Sequence, residues 1–201
     1  MPESPLEYIV EAAASLFAER GVGAVSLEDV ARRAEITPCV MTYHFKSKTN
    51  LLFIVSRMFF SRLHRELTVA VGAAKTPLQG IHAFIDTFFK VAEENMNFPI
   101  FLSKYDPFLQ LDLTTFPTCE LVLIRDRIIN LLCDSIMDGI IMDQFNYVQA
   151  DCFSHLVMSI LRGVCRTYAT DVDPGEVSME IKSMLTYRLT GSLVEDFKAN
   201  A

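Results

Sequence analysis

The 201-residue sequence predicts an all-α fold in two parts. Apolar residues recur at spacings of three and four through almost the whole chain, the period of an amphipathic helix. Most of these runs open on a serine, threonine, asparagine or aspartate, and several close on a glycine, so starts and stops agree with the periodicity. No segment alternates polar and apolar residues as a half-buried strand does, and there is no internal repeat or low-complexity tract. About nine helices result, divided into a helix-turn-helix unit over residues 1–46 and a larger helical unit over residues 47–201.

The first three helices are short and closely spaced. Ile9, Ala12, Ala13, Leu16 and Phe17 give the first helix one buried face, and Gly21 ends it, because glycine accepts the left-handed conformation past a helix terminus. Ser26 starts the second: its hydroxyl can accept from the free first-turn amides, and Asp29 places a carboxylate at the positive end of the dipole. Leu27, Val30 and Ala31 are its apolar contacts. After Ala34, Glu35 and Ile36 the chain turns, and Thr37 with Pro38 opens the third helix, proline standing where its missing amide costs nothing. Two short helices joined by a tight turn make a helix-turn-helix.

The remaining helices follow the same punctuation. Ser47 caps a long fourth helix running past Leu51, Val55 and Phe59 to about Gly72. Thr76, Pro77 and Gln79 supply a cap, a first-turn proline and a capping-box partner for the fifth, whose Ile81, Phe84, Ile85, Phe88, Phe89 and Ala92 form an amphipathic stripe. A break over Asn95 to Pro99 precedes a short sixth helix from Pro99 to Tyr105, and the stretch from Asp106 to Pro117 reads as an irregular connection. Thr118 caps a seventh helix ending near Met142. Asn146, with Gln149 three residues on, caps an eighth that carries Phe153, Val157, Ile160, Leu161 and Val164. Asp173, Pro174 and Glu176 open a ninth with Ile181, Leu185 and Leu189.

Residues 9–52 also resemble the TetR-family transcriptional regulators. The resemblance rests on Ala12-Ala13, Leu16-Phe17, Gly21, Ser26, Val30-Ala31, Ala34, Ile36-Thr37, Tyr43, His44-Phe45, Ser47-Lys48 and Leu51-Leu52, with Tyr-His-Phe-Lys-Ser-Lys the most specific run. It covers roughly the first quarter of the chain, the remainder agreeing only in helical layout. Glu35 departs from the pattern where glycine is commonest, Cys39 where a small residue is usual, and Thr42 where a tyrosine often meets the DNA backbone.

The resemblance implies a homodimer that binds an inverted repeat in double-stranded DNA and responds to a small molecule. Thr37, Pro38, Val40, Thr42, Tyr43 and His44 lie on or beside the reading helix. The resemblance assigns Tyr43 and Lys48 to phosphates, the latter assisted by amides at the start of the fourth helix. Met41 should pack inward as the family's leucine does, leaving Val40 for a thymine methyl. Arg33 is either a further phosphate contact or a solvated helix-end cation.

Charge limits the electrostatic contribution. The net formal charge is −7, with a pI near 5.1, where a DNA binder is expected to carry a basic footprint. In the first fifty residues Arg20, Arg32, Arg33, Lys46 and Lys48 stand against seven acidic residues. Few phosphate contacts and a shallow salt dependence are expected.

The aromatic residues have two readings. Phe59, Phe84, Phe88, Phe89, Tyr105, Phe108 and Phe116 are either ordinary core or, as the resemblance implies, the wall of a cavity for a hydrophobic effector, with Arg125, Tyr105 or His82 fixing a polar end. Phe153, Val157, Ile160, Leu161, Val164, Ile181, Leu185 and Leu189 are either local packing or the dimerisation surface of the last two helices.

Other functions find less support. His82 and Asp86 share a helix face, but two candidate ligands do not make a metal site. No Gly-rich phosphate loop, HExxH helix or GxSxG elbow is present, so neither a cofactor nor an enzyme is expected, and a small all-helical enzyme ranks last. Five cysteines without a CxxC pair argue against a disulfide framework. A thiol-based redox regulator, switching through Cys39 or through Cys152 and Cys165, is a further alternative, although thirteen residues part that pair along one helix. No apolar run approaches the roughly 20 residues of a membrane span, and the opening residues do not read as a signal peptide, so a cytoplasmic protein is expected.

Overall fold

The computed structural model describes residues 5–112, 120–166 and 173–191. Among them the chain forms ten helical segments and no strand: α1 (Pro5–Arg20), α2 (Leu27–Arg33), α3 (Pro38–Phe45), α4 (Lys48–Gly72), α5 (Pro77–Glu94), α6 (Asn97–Lys104), α7 (Pro107–Gln110), α8 (Glu120–Ile141), α9 (Ala150–Arg166) and α10 (Pro174–Thr190). The single-turn α7 is the one addition to the nine expected. Asp106 makes it, accepting from the Phe108 amide at 3.0 Å ahead of Pro107. This is the same cap-plus-proline signal that opens α3 and α10, in a stretch where the sequence predicts an irregular connection.

Most helix starts form as expected. Ser26 and Asp29 make a reciprocal capping box on α2, with bonds of 3.1 and 3.0 Å. Thr37 accepts from the Val40 amide at 3.3 Å, Ser47 from Asn50 at 3.1 Å, and Asp173 from Gly175 at 3.1 Å. Gly21 and Gly191 adopt the positive φ that favours glycine, 79° and 73°.

Three details differ. Gln79 does not close the box on Thr76 but accepts from the Lys75 amide, while Thr76 caps Gln79. The sixth helix begins at Asn97, which places Pro99 inside its first turn, where the ring is tolerated. The helix expected to start at Asn146 starts at Ala150, with the Gln149 carbonyl taking its first bond from Phe153; Asn146 donates its amide to the Leu189 carbonyl instead. The expected cap Thr118 lies outside the described residues.

The chain packs as two compact units. One holds the residues through Arg62 together with Glu94–Ile124, the other Leu63–Glu93 together with Arg125 onward. In the first, Ala13, Ala14, Leu16 and Phe17 of α1, Val30 and Ala31 of α2, Met41 and Phe45 of α3, Leu51 and Val55 of α4 and Phe101 of α6 are buried. Phe101 lies against Phe17 at 5.5 Å between ring centroids. In the second, the buried faces of α5, α8, α9 and α10 supply Ile81, Phe84, Ile85, Ile128, Leu132, Ile136, Val157, Leu161, Leu185 and Leu189. A polar seam joins α5 to α10: Asp86 accepts from Ser178 at 2.9 Å and from Lys182 at 2.7 Å, and His82 shares a 2.9 Å bond with Thr186.

The seam carries a pH dependence. Burial, aided by the Lys182 charge and opposed by Asp86, lowers the His82 pKa below its ordinary 6.5. At higher pH both folded and unfolded chains hold a neutral imidazole. As pH falls through about 6.5 the unfolded chain takes up a proton that the folded site resists, so stability decreases until the lower folded value is passed. Thermal unfolding followed between about pH 8 and pH 5 should show the loss, and His82→Gln, which can still bond Thr186, should lessen it.

Candidate DNA-reading surface and the aromatic interior

The third helix is too short to hold together alone and is fixed by two side chains one turn apart, Met41 and Phe45, both buried in the first unit. Everything between them faces outward. Thr37, Pro38, Cys39, Thr42, Tyr43 and His44 are exposed, Tyr43 by 78 % and Val40 by 43 %. The expected division of Val40 from Met41 therefore holds: Met41 packs and Val40 is free. The Tyr43 and His44 rings meet edge to face at 5.2 Å.

The turns on either side are tight and carried by ordinary residues. Glu35, between α2 and α3, has φ 54°, and Lys46, after α3, has φ 58°. The departure from glycine at Glu35 leaves the turn geometry intact and costs backbone strain of about 1–2 kcal/mol for a side chain in the left-handed region.

The cations are used differently from expectation. Arg33 turns back on α1, donating to both carboxylate oxygens of Glu19 at 3.2 and 2.9 Å and to Ser15 at 3.3 Å. The helix-end cation is thus paired with Glu19 while its side chain stays exposed. Lys48 donates to the Val22 carbonyl at 2.8 Å and the Val25 carbonyl at 3.0 Å. Arg32, 78 % exposed beside Asp29, and Lys46 remain on the surface.

The aromatic residues fall in both units. In the first, Phe59 stacks on Phe98 at 4.9 Å and meets Phe60, which in turn meets Phe108 at 5.2 Å; Tyr105 stacks on Phe101 at 5.5 Å. Burial raises the Tyr105 pKa, so its hydroxyl stays protonated. In the second, Phe84, Phe88 and Phe89 are buried on α5, the last two edge to face at 6.0 Å. Arg125 there is paired with the adjacent Asp126 at 2.8 Å. Phe116 lies outside the described residues. One buried polar atom escapes the sequence reading: among the described residues, the Ser56 hydroxyl on α4 finds no hydrogen-bond partner. A serine among Leu51, Leu52, Val55 and Phe59 was the available signal, being the one polar residue on that buried stripe.

The residues expected at the dimerisation surface divide by burial. Val157, Leu161, Ile181, Leu185 and Leu189 are buried within the single chain. Phe153, Ile160 and Val164 are half-buried. The outward faces carry Leu156, Met179, Met184 and Tyr187 instead. The 3.6-residue period detects an apolar stripe, and it cannot say whether the chain's own core or a neighbour covers it.

Cysteine and histidine chemistry is subdued. Burial pushes the Cys165 thiol up to about 12 and raises Cys133, which disfavours the reactive thiolate in both. Cys39 and Cys152 are exposed, and Cys119 lies outside the described residues. No group of three or more metal-binding side chains occurs among the described residues, His82 and Asp86 being engaged by α10. No described helix is long and apolar enough to cross a membrane.

A short helix docked by two apolar residues, with its whole outer face open and a capped helix crossing before it, defines a helix-turn-helix protein. Residues 9–54 match the family of bacterial regulatory proteins of the tetR type. The HTH-type transcriptional regulator BetI of Rhizobium meliloti is 30% identical over 82 residues, 41% of this chain and 40% of the relative. The chain thus spans about two fifths of the length of that curated relative. Among solved structures, the TetR-family regulator PfmR of Thermus thermophilus superposes with a TM-score of 0.77 at 22% identity, covering 88% of this chain and 96% of that one. The ketosteroid transcriptional regulator KstR2 of Mycobacterium tuberculosis gives 0.75 at 20% identity, covering 94% and 97%. These structures share the fold. Over residues 9–54 the chain is thus similar to the N-terminal region of tetR-type regulators, and the curated relative matched over that part of the chain is a transcriptional regulator.

Proposed function

We propose that this protein is a cytoplasmic transcriptional repressor that binds an inverted-repeat operator as a homodimer and is released by a hydrophobic small molecule. The observation that carries the reading is the outer face of α3, where every position from Thr37 to His44 except Met41 is exposed. Val40 offers an apolar contact to a thymine methyl, Thr42 and His44 offer hydrogen bonds to base edges, and Tyr43 binds a phosphate. The functional division falls near residue 46, between the reading unit and the rest of the chain.

Dimerisation is assigned to α9 and α10. Two reading helices are needed for an inverted repeat, and the outward Leu156, Met179, Met184 and Tyr187 are apolar positions left uncovered by the chain itself. A hydrophobic effector is supported by the buried aromatics and by the similarity in fold to a ketosteroid regulator. Its polar end would take the orphan Ser56 hydroxyl, the one buried side-chain group with an unmade hydrogen bond among the described residues. Release follows if the effector prefers a subunit arrangement in which the two α3 helices no longer match the half-site spacing.

Selection from a random DNA pool tests the reading. The protein should enrich an inverted repeat whose half-site centres lie about one helical turn apart, or a somewhat longer site where two dimers share it. A pool that stays unenriched through repeated rounds at low salt contradicts it.

A further inference from the structure

Two ammonium groups converge on one stretch of backbone in the first unit. Lys48, the first residue of α4, donates to the Val22 and Val25 carbonyls at 2.8 and 3.0 Å, and Lys104, the last residue of α6, donates to the Ala18 carbonyl. We infer that Lys48 and Lys104 are positioning residues, Lys48 clamping the connector between α1 and α2 and Lys104 the last turn of α1 that leads into it, that together they set the pose of α3, and that Lys48 serves DNA binding through this clamp and not as a phosphate contact.

The connector needs holding from outside. It leaves α1 through Gly21 at φ 79° and makes one 3-10 turn, closed by long bonds of 3.3 and 3.4 Å from Ala24 to Gly21 and from Val25 to Val22. Ala18 is among the last four carbonyls of α1, which have no partner inside their helix. Of the connector residues Val22 to Val25, only Val25 is buried. Polar bonds from elsewhere therefore supply much of its restraint, and charge-assisted ones are the strongest available.

The geometry links this restraint to reading. The α2–α3 pair enters the fold through residues 22–25 and leaves it through Lys46 and Ser47 into α4. By bonding residue 48 to Val22 and Val25, Lys48 ties the exit of the pair to its entrance, and Lys104 ties the last turn of α1, which leads into that entrance, to α6. A lysine at a helix start also faces the positive end of the dipole, an unfavourable place that two carbonyl partners offset. Two of the three ammonium protons are thereby committed. The family resemblance that assigns Lys48 to a phosphate does not anticipate this use.

The inference rests on the DNA-binding reading above, and the experiment separates the two. Lys48→Met and Lys104→Met remove the charge and keep the stem. In the free protein, amide hydrogen exchange of residues 21–26 should quicken roughly tenfold or more in each variant. On the selected operator, each should weaken binding by roughly tenfold with the slope of log K against log salt unchanged, whereas loss of a phosphate contact lowers that slope by about 0.9. Lys48→Arg, which can still donate twice, should restore most of the exchange protection. Unchanged exchange in both methionine variants overturns the clamp, and a slope reduced by about 0.9 in Lys48→Met overturns the assignment of Lys48 whatever the exchange shows. If Lys48→Met does not fold, Lys104→Met decides by the same two readouts. A wild-type protein that binds no DNA sinks the functional reading alone, because the exchange measurement still decides the clamp.

Discussion

Val40→Glu should reduce operator binding at least a hundredfold, about 3 kcal/mol, while leaving the melting temperature of the free protein unchanged. Val40 is 43 % exposed in the middle of the outer face of α3, and its neighbour Met41 carries the packing. A glutamate there has room and water in the free protein, so folding is unaffected. Docked in the major groove, the same carboxylate is brought against phosphates and acceptor-rich base edges and desolvated, and such like-charge juxtaposition costs several kcal/mol. Calorimetric or fluorescence titration on the selected operator, paired with thermal melting, measures both halves. Binding within threefold of wild type at physiological salt would place the reading surface elsewhere.

Phe45→Ala should act in the opposite pattern, destabilising the protein by about 3–5 kcal/mol and abolishing DNA binding as a consequence. Phe45 is buried beside Ser47 and the start of α4, and with Met41 it makes up the whole buried face of an eight-residue helix. Removing the ring leaves a cavity that two flanking turns at positive φ, Glu35 and Lys46, are poorly placed to collapse into, since both are already strained. Denaturant unfolding at neutral pH gives the stability directly. Met41→Leu, which conserves volume, should cost less than about 1.5 kcal/mol and keep binding. A Phe45→Ala protein of wild-type stability would mean that α3 is not docked through this residue.

The contrast between these variants marks what was legible in the sequence. Caps and breakers are local, so Ser26 with Asp29, Thr37 with Pro38, Ser47, and Asp173 with Pro174 announced their helices correctly. The same rule held for Asp106 with Pro107, where a long aromatic stretch obscured it. Asn146 did not open α9, which starts at Ala150; its backbone amide donates to the Leu189 carbonyl, a partner more than forty residues away that no local pattern contains. The face of a helix is legible only as a stripe. For α3 the stripe was narrow, two residues, and its inside and outside were separable from sequence. For α9 and α10 the residues Val157, Leu161, Ile181, Leu185 and Leu189 are buried in the chain itself, while Leu156 and Met184, apolar positions of the same helices, and Met179 and Tyr187 face outward. The cations are held by partners distant in sequence. Arg33 pairs with Glu19 and Lys48 with the Val22 and Val25 carbonyls, partners between fourteen and twenty-six residues distant.

Methylation interference on the selected operator tests the central claim most directly. Dimethyl sulfate places a methyl group on guanine N7 in the major groove and on adenine N3 in the minor groove, so the pattern reports which groove is occupied. With α3 as the reading helix, guanine N7 methylation in the major groove should block binding at symmetric positions in both half-sites. Interference confined to adenine N3, or guanine interference with no two-fold symmetry, would contradict a dimer that reads DNA through the outer face of α3.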